Sequence, residues 1–262
     1  MKKIFVFISA LALFGCEKVI DVDLNSADPK KVIEANLMAG SDSLLVRITE
    51  TGDYFNFEET PNVENAIVYL ITQSGQKMLA QMTSPGVYWI DSINSVTGEN
   101  YTIEVTADVK FTTATSYLPP VVPLDSLYFE YFEPSGFFEG GYIPFVAFQD
   151  PPNEENYYRL IFYINGEEEK DLNVFNDKFI NGTYVEQPLF GSDLEVGDSI
   201  HVELRSIDAE VYKFYNTLNA ISGGGGPPGV APGNPTTNLK GDIQLGFFGT
   251  YSRSVAKGEF PE

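Results

Sequence analysis

The sequence predicts a mainly β protein: an N-terminal immunoglobulin/fibronectin-like antiparallel sandwich over residues 30–120, then a second β-rich domain over 121–262 carrying one helix. Three observations lead there. Apolar and polar residues alternate with period two in short runs, as where Tyr101, Ile103 and Val105 alternate with Thr102, Glu104 and Thr106. Turn signals such as Ser84-Pro85-Gly86 and Thr97-Gly98 punctuate these runs. Helical spacing is sustained in one place, residues 208–222.

The first element is not part of the fold. Residues 1–15 read as a signal peptide: Met1-Lys2-Lys3, then the apolar run Ile4 to Phe14, too short for a membrane span of about 20 residues. The run ends at Gly15-Cys16, and Cys16 is the single cysteine of the chain. Leu13-Phe14-Gly15-Cys16 resembles the lipobox of bacterial lipoproteins, which implies acylation (palmitate among the chains) at Cys16. Phe14 is bulkier than the small residue usual there. Two acyl chains or more make membrane attachment stable. Residues 16–29 then form a linker whose acidic residues, Glu17, Asp21 and Asp23, resemble the export signal of surface-facing lipoproteins in a Bacteroidota-type envelope. A merely solvated linker reads the same way.

Strands are expected at Val32–Met38, Leu44–Thr49, Ala66–Thr72, Met78–Met82, Val87–Ile90, around Tyr101–Val105 and at Lys110–Ser116. Seven short strands in about 90–100 residues match a sandwich. Pro119, Pro120 and Pro123 cannot donate to a sheet ladder, so the domain boundary is expected there, with the first half folding alone. Strands resume at Ser126–Phe132, Ile143–Phe148, Tyr157–Ile164 and Ser199–Ser206, with others around Leu172–Phe175 and Tyr184–Phe190. Asp208 can cap the helix, whose stripe is Val211, Phe214, Tyr215, Leu218 and Ile221. Gly223 stops it, and 223–238 is expected to be a flexible Gly/Pro loop. The final strand starts near Asp242, where Gly246 and Gly249 point to a bulge or a close approach.

Composition limits the function. Hydrophobic residues reach 43% and aromatics 14%, which excludes a disordered chain. Asp and Glu outnumber Lys and Arg by 37 to 16, a net charge of −21. Removing Lys2 and Lys3 with the signal peptide takes it to −23. Such a chain lacks the cations a nucleic acid requires, so no nucleic-acid partner is expected. With one histidine and one cysteine, neither an internal disulfide nor a Cys/His zinc site is available.

No enzyme is expected. His201 shares the outward face of its strand with Glu203 and Arg205, and no nucleophile is paired with it. Gly197-Asp198-Ser199-Ile200 superficially resembles the nucleophile block of GDSL-type hydrolases, but it sits late in an all-β stretch, where a turn entering a strand explains it. The acidic pairs lack the spacing of a calcium loop, so no metal site and no cofactor are assigned; a weak calcium site is left open. The segment Glu133–Tyr142 is different in kind. Phe137, Phe138 and Tyr142 sit among glycines where no strand or helix period would bury them, and they form the candidate contact loop. The alternative is that the two phenylalanines tuck under the loop as core.

Several motifs together carry a family resemblance. They are the lipobox, Lys31-Val32-Ile33-Glu34-Ala35, Val63-Glu64-Asn65-Ala66-Ile67-Val68-Tyr69, Gly86-Val87-Tyr88 and Gly98-Glu99-Asn100-Tyr101-Thr102-Ile103-Glu104-Val105. Pro123-Leu124-Asp125-Ser126-Leu127, Asn234-Pro235-Thr236-Thr237-Asn238-Leu239-Lys240-Gly241 and Leu245-Gly246-Phe247-Phe248 complete them. The chain resembles a family of Bacteroidota outer-membrane lipoproteins classed as a domain of unknown function, typically encoded beside TonB-dependent receptors. The resemblance implies a lipid-anchored accessory protein of such a receptor, facing the cell exterior and capturing or gating a nutrient. It supplies no catalytic residues. The alternative function is a carbohydrate-binding or adhesive surface module acting without a transporter.

The anchor is directly testable. Cys16→Ser should abolish labelling by a palmitate analogue and release the protein from membranes; undiminished labelling would refute acylation at this position.

Overall fold

Alternation builds the first strands one residue at a time. In β1 (Lys31–Met38), Ile33, Ala35 and Leu37 are buried while Glu34 and Asn36 face solvent. In β2 (Leu44–Glu50), Leu44, Val46 and Ile48 do the same. The two pair antiparallel, with Ala35 opposite Val46, so both apolar sets fall on one face. The computed structural model describes residues 28–52, 60–136, 140–170, 172–189, 194–222 and 233–261. The signal peptide, Cys16 and most of the linker lie outside the described residues, as does 223–232 of the expected Gly/Pro loop.

The remaining strands of the first half are β3 (Ala66–Ile71), β4 (Lys77–Leu79), β5 (Gln81–Ser84), β6 (Val87–Ile90), β7 (Asn100–Ala107) and β8 (Lys110–Tyr117). Those of the second are β9 (Ser126–Phe132), β10 (Gly141–Gln149), β11 (Tyr157–Ile164), β12 (Glu167–Glu168), β13 (Asn173–Asn176), β14 (Tyr184–Pro188) and β15 (Ser199–Ile207). Then come the helix α1 (Ala209–Ile221), β16 (Lys240–Gly241) and β17 (Leu245–Glu259). The fold is mainly β, with one helix among the described residues.

Two sandwiches result. In the first, β5, β6, β2, β1 and the start of β17 face β16, β8, β7, β3 and β4. Its core includes Ile33, Ile48, Tyr88, Leu70, Tyr101, Ile103 and Phe248. In the second, β11, β15 and the end of β17 face β14, β10 and β9, around Phe148, Tyr158, Leu160, Val202 and Leu204.

The strand expected as Met78–Met82 is divided at Ala80. Its first part, β4, pairs with β3 in one sheet, and its second, β5, pairs with β6 in the other. Met78, Ala80 and Met82 keep one apolar parity through the break, so the sequence offers no sign of the change of sheet.

The boundary near residue 120 needs a larger correction. β17 is 15 residues long and serves both sandwiches. Its first half runs parallel to β1, from Val32 opposite Leu245 to Met38 opposite Tyr251. Its second half runs antiparallel to β15, from Ile207 opposite Tyr251 to Ser199 opposite Glu259. Residues 30–120 therefore do not close a sandwich by themselves. Leu239, Ile243 and Phe248, all at most 4% exposed, return from the far end of the chain to complete the first core. Gly246 permits the approach: a Cβ there would stand 1.9 Å from the Ile33 carbonyl oxygen, at a φ of +94°.

A polar seam ties the sandwiches at this crossing. The Thr250 amide donates to Ser116 Oγ at 2.9 Å, and Ser252 Oγ donates to the Pro120 carbonyl at 2.8 Å. Thr250 and Ser252 are fully buried, so their satisfied hydroxyls avoid the cost of unpaired polar groups. Asp208 joins the seam as N-cap of α1, accepting from the Val211 amide at 2.8 Å and, on its other oxygen, from Ser116 Oγ and the Tyr117 amide. The cap is the one expected from the sequence, whereas its bonds to β8 are tertiary.

A fragment of residues 28–120 should show no cooperative melting, because it lacks the parallel partner of β1 and three core side chains. Supplying residues 233–261 in trans should restore a transition. Cooperative unfolding of the fragment alone, at the stability of the whole chain, would show that the returning segment is dispensable.

Candidate functional site

Strand β9 is apolar at both parities, and its two faces have different fates. Leu127 and Phe129 turn inward onto the second core, Phe129 meeting Phe260 edge-on at 5.6 Å. Tyr128, Glu130 and Phe132 turn outward. Register places Phe145 of β10 opposite Tyr128, and Pro188 of β14 opposite Phe145, on that same outer face. The rings stack: Tyr128 on Phe145 at 5.5 Å and Phe132 on Phe145 at 6.1 Å. Ile143 stands beside them, opposite Glu130. These apolar residues are half-buried among themselves, and α1 packs elsewhere, against β11, β13 and β17.

One polar contact fixes this face. Tyr128 donates its hydroxyl to Glu186 Oε1 at 2.7 Å, and that bond pushes its pKa up to about 12. The phenol therefore stays protonated and the ring stays oriented, leaving an aromatic surface with Glu186 at its margin and the exposed Glu130 between Tyr128 and Phe132.

The sequence-predicted contact loop joins β9 to β10, at the end of this face. Phe137 and Phe138 lie outside the described residues. Tyr142 is a strand residue rather than a loop residue. It sits opposite Tyr131 in β10 and packs edge-on against Tyr131 at 5.3 Å and Phe260 at 6.3 Å. The glycines around it mask a register that pairing with β9 supplies. Sequence reasoning passed over Tyr128, Phe132 and Phe145. The available signal was a strand apolar on both faces in a sheet with one core.

His201 lies on the outer face of β15, stacked on Tyr163 at 5.0 Å. Its Nε2 is 4.0 Å from Glu203 Oε1, too far for a hydrogen bond, and among the described residues it has no hydrogen-bond partner. Glu203 itself is 3% exposed and is held by Arg205 and Arg253, both at 2.7 Å. Burial pushes its carboxyl up, but the two guanidinium groups outweigh that and leave it below its ordinary value. Arg159, Arg205 and Arg253 stand side by side across β11, β15 and β17. Arg159 lies over the Tyr215 ring and Arg205 over Tyr251.

The Gly197–Ile200 block is a capped turn. Asp198 accepts from the Glu195 amide at 2.8 Å and from Asn165 Nδ2 at 2.7 Å, and the Ser199 amide donates to Asn165 Oδ1. The Glu195 amide holds the Asp198 carboxyl below its usual range. Among the described residues no cluster of three or more His, Cys, Asp or Glu side chains is placed to hold a metal.

The profile of a domain of unknown function, DUF4249, matches residues 17–256. The chain belongs to this family. No curated protein matches it. Among solved structures, a DUF4785 family protein from Legionella pneumophila is similar at 13% identity and a TM-score of 0.29, over 65% of this chain and 49% of that one. This chain thus aligns with about half the length of that structure. A two-domain fibronectin type III segment of chicken tenascin is similar at 17% identity and a TM-score of 0.23, over 68% of this chain and 90% of that one. Both likenesses are too distant to say anything of the site.

The Glu203 cluster yields a stability prediction. Glu203→Gln should cost about 2 kcal/mol at neutral pH, less than the ~3–5 of a fully buried pair because Arg253 is 42% exposed. Because the folded carboxyl titrates below the ordinary 4.5, its contribution is complete above that pH and is lost as pH falls through the folded value. In urea melts the gap between wild type and variant should therefore close on acidification; a gap independent of pH would exclude the charge as its source.

Proposed function

We propose that this protein is a non-enzymatic, lipid-anchored accessory protein of a TonB-dependent outer-membrane receptor, docking through the aromatic face of β9, β10 and β14 to help capture a nutrient. The observation that carries this reading is the half-buried, stacked cluster of Tyr128, Phe132 and Phe145 on the outer face of a sheet whose other side is already committed to a core. Aromatic rings supply contact area at little cost in conformational entropy, which suits them to interface centres. The position of Cys16 supports attachment to the membrane in which such receptors sit. Confinement to one plane raises the effective concentration of both partners. The net charge of −21 on the whole chain disfavours simple adhesion to an anionic surface and favours a specific protein contact.

The test is affinity purification of the native membrane complex. Wild-type protein should recover a TonB-dependent receptor. Phe132→Ala with Phe145→Ala, and separately Phe137→Ala with Phe138→Ala, should each weaken recovery by about 2 kcal/mol or roughly thirtyfold, with the melting temperature nearly unchanged. Wild type bringing down no receptor would sink the proposal, and recovery of surface glycan instead would favour the carbohydrate-binding alternative.

A further inference from the structure

Helix α1 stands as a wall along one side of an open sheet face. It packs on the start of β17, with Phe214 stacked on Phe247, and the outward residues of β1 and β2 beside it stay exposed. Between wall and floor runs a groove of about 440 Å³, lined on the helical side by Tyr215 and Leu218. Register lays its floor in two rows. Phe247, Glu34, Arg47 and Val87 form one, and Gly249, Asn36, Leu45 and Trp89 the other. Four strands about 4.8 Å apart make each row roughly 14 Å long.

The polar heads of this floor are all free. Glu34 and Arg47 stand directly opposite each other, where opposite charges ordinarily pair, yet no ion pair joins them. Neither they nor Asn36 make a side-chain hydrogen bond among the described residues, and all three are exposed. Water satisfies them in the open groove, and a ligand rich in hydroxyl groups can replace it. The guanidinium and the amide N–H groups donate, and the carboxylate and the amide oxygen accept. One positive and one negative charge cancel, so the groove selects no ion. Apolar strips separate these heads: Phe247 and Tyr215 on the helical side, Leu45 and Trp89 on the other, with Trp89 38% exposed. Vicinal hydroxyls each donate and accept, while the C–H face of a sugar ring packs on an apolar or aromatic strip. Both parts of the floor therefore match a pyranose. A zwitterionic peptide would meet an anion and a cation here too, but ion pairs in an open, solvated groove contribute little.

We propose that this groove binds a neutral oligosaccharide, its hydroxyls bonded by Arg47, Asn36 and Glu34 and its ring faces laid on Leu45 and Trp89. The site belongs to the single chain and lies on a different sheet from the docking face, so its test succeeds or fails without a receptor. The full chain, purified in a detergent without a sugar headgroup, is applied to an array of neutral and acidic oligosaccharides. At least one neutral oligosaccharide should be retained. Titrated with that sugar, the emission of Trp89, the single tryptophan of the chain, should change saturably and with little dependence on salt. Arg47→Ala and Asn36→Ala should each lower the affinity about tenfold with the melting temperature unchanged. Both side chains are exposed, so neither variant threatens the fold. Retention of acidic oligosaccharides alone or of none, a Trp89 emission that does not respond, or an affinity unchanged in both variants would each overturn the proposal. Binding of the dipeptide leucylglycine where no sugar binds would overturn it as well and assign the groove to a zwitterion.

Discussion

The parallel and antiparallel pairing of one strand holds this molecule together. β17 closes the first sandwich against β1, passes Tyr251, and becomes a structural strand of the second sandwich against β15. Because a strand's hydrogen bonds fix both its register and its direction, sharing one strand fixes the two sandwiches relative to each other more firmly than a flexible linker would. The buried polar seam of Ser116, Thr250, Ser252 and Asp208 adds bonds that both halves must satisfy together. The segment Pro119–Pro120 crosses at the same level, its lack of amide donors suited to a position where the chain leaves a sheet.

Other features follow from that shared strand. The helix starts where β15 ends, and its cap reaches back to β8, so α1 is positioned by both sandwiches. It covers the start of β17, with Phe214 stacked on Phe247 at 4.3 Å. Gly249 lets Val211 come close to that strand. The groove lies between the helix and the outer face of β1 and β2, so its shape depends on the same registers.

The second sandwich separates its charges by face. On the large sheet the outward residues form an ion network, in which a nearly buried glutamate holds two arginines of a chain that is otherwise strongly acidic. On the small sheet the outward residues are aromatic, with two carboxylates, Glu130 and Glu186, and no cation among those of β9, β10 and β14. The arginines thus stand on one face and the stacked rings, edged by carboxylates, on the other. Carboxylates beside half-buried rings limit association through that face.

The sequence by itself determined the strands, because alternation and turn chemistry are local: Val87–Ile90, Ser126–Phe132 and Tyr157–Ile164 stand where the pattern puts them. It determined the helix and its Asp208 cap for the same reason, and it marked Gly246 as a close approach. Only the tertiary structure decided which strands share a sheet, since pairing across more than 200 residues, as between Val32 and Leu245, leaves no periodic trace in either segment. It also decided that Met78 and Met82 belong to different sheets, and that Tyr142 is a paired strand residue. The two candidate surfaces divide along the same line. The apolar parity of β9 is written in its residues, but which face is left uncovered depends on the sheet packed behind it. The groove is written nowhere locally, because Glu34, Arg47 and Tyr215 meet only once β17 has paired with β1 and carried the helix beside it.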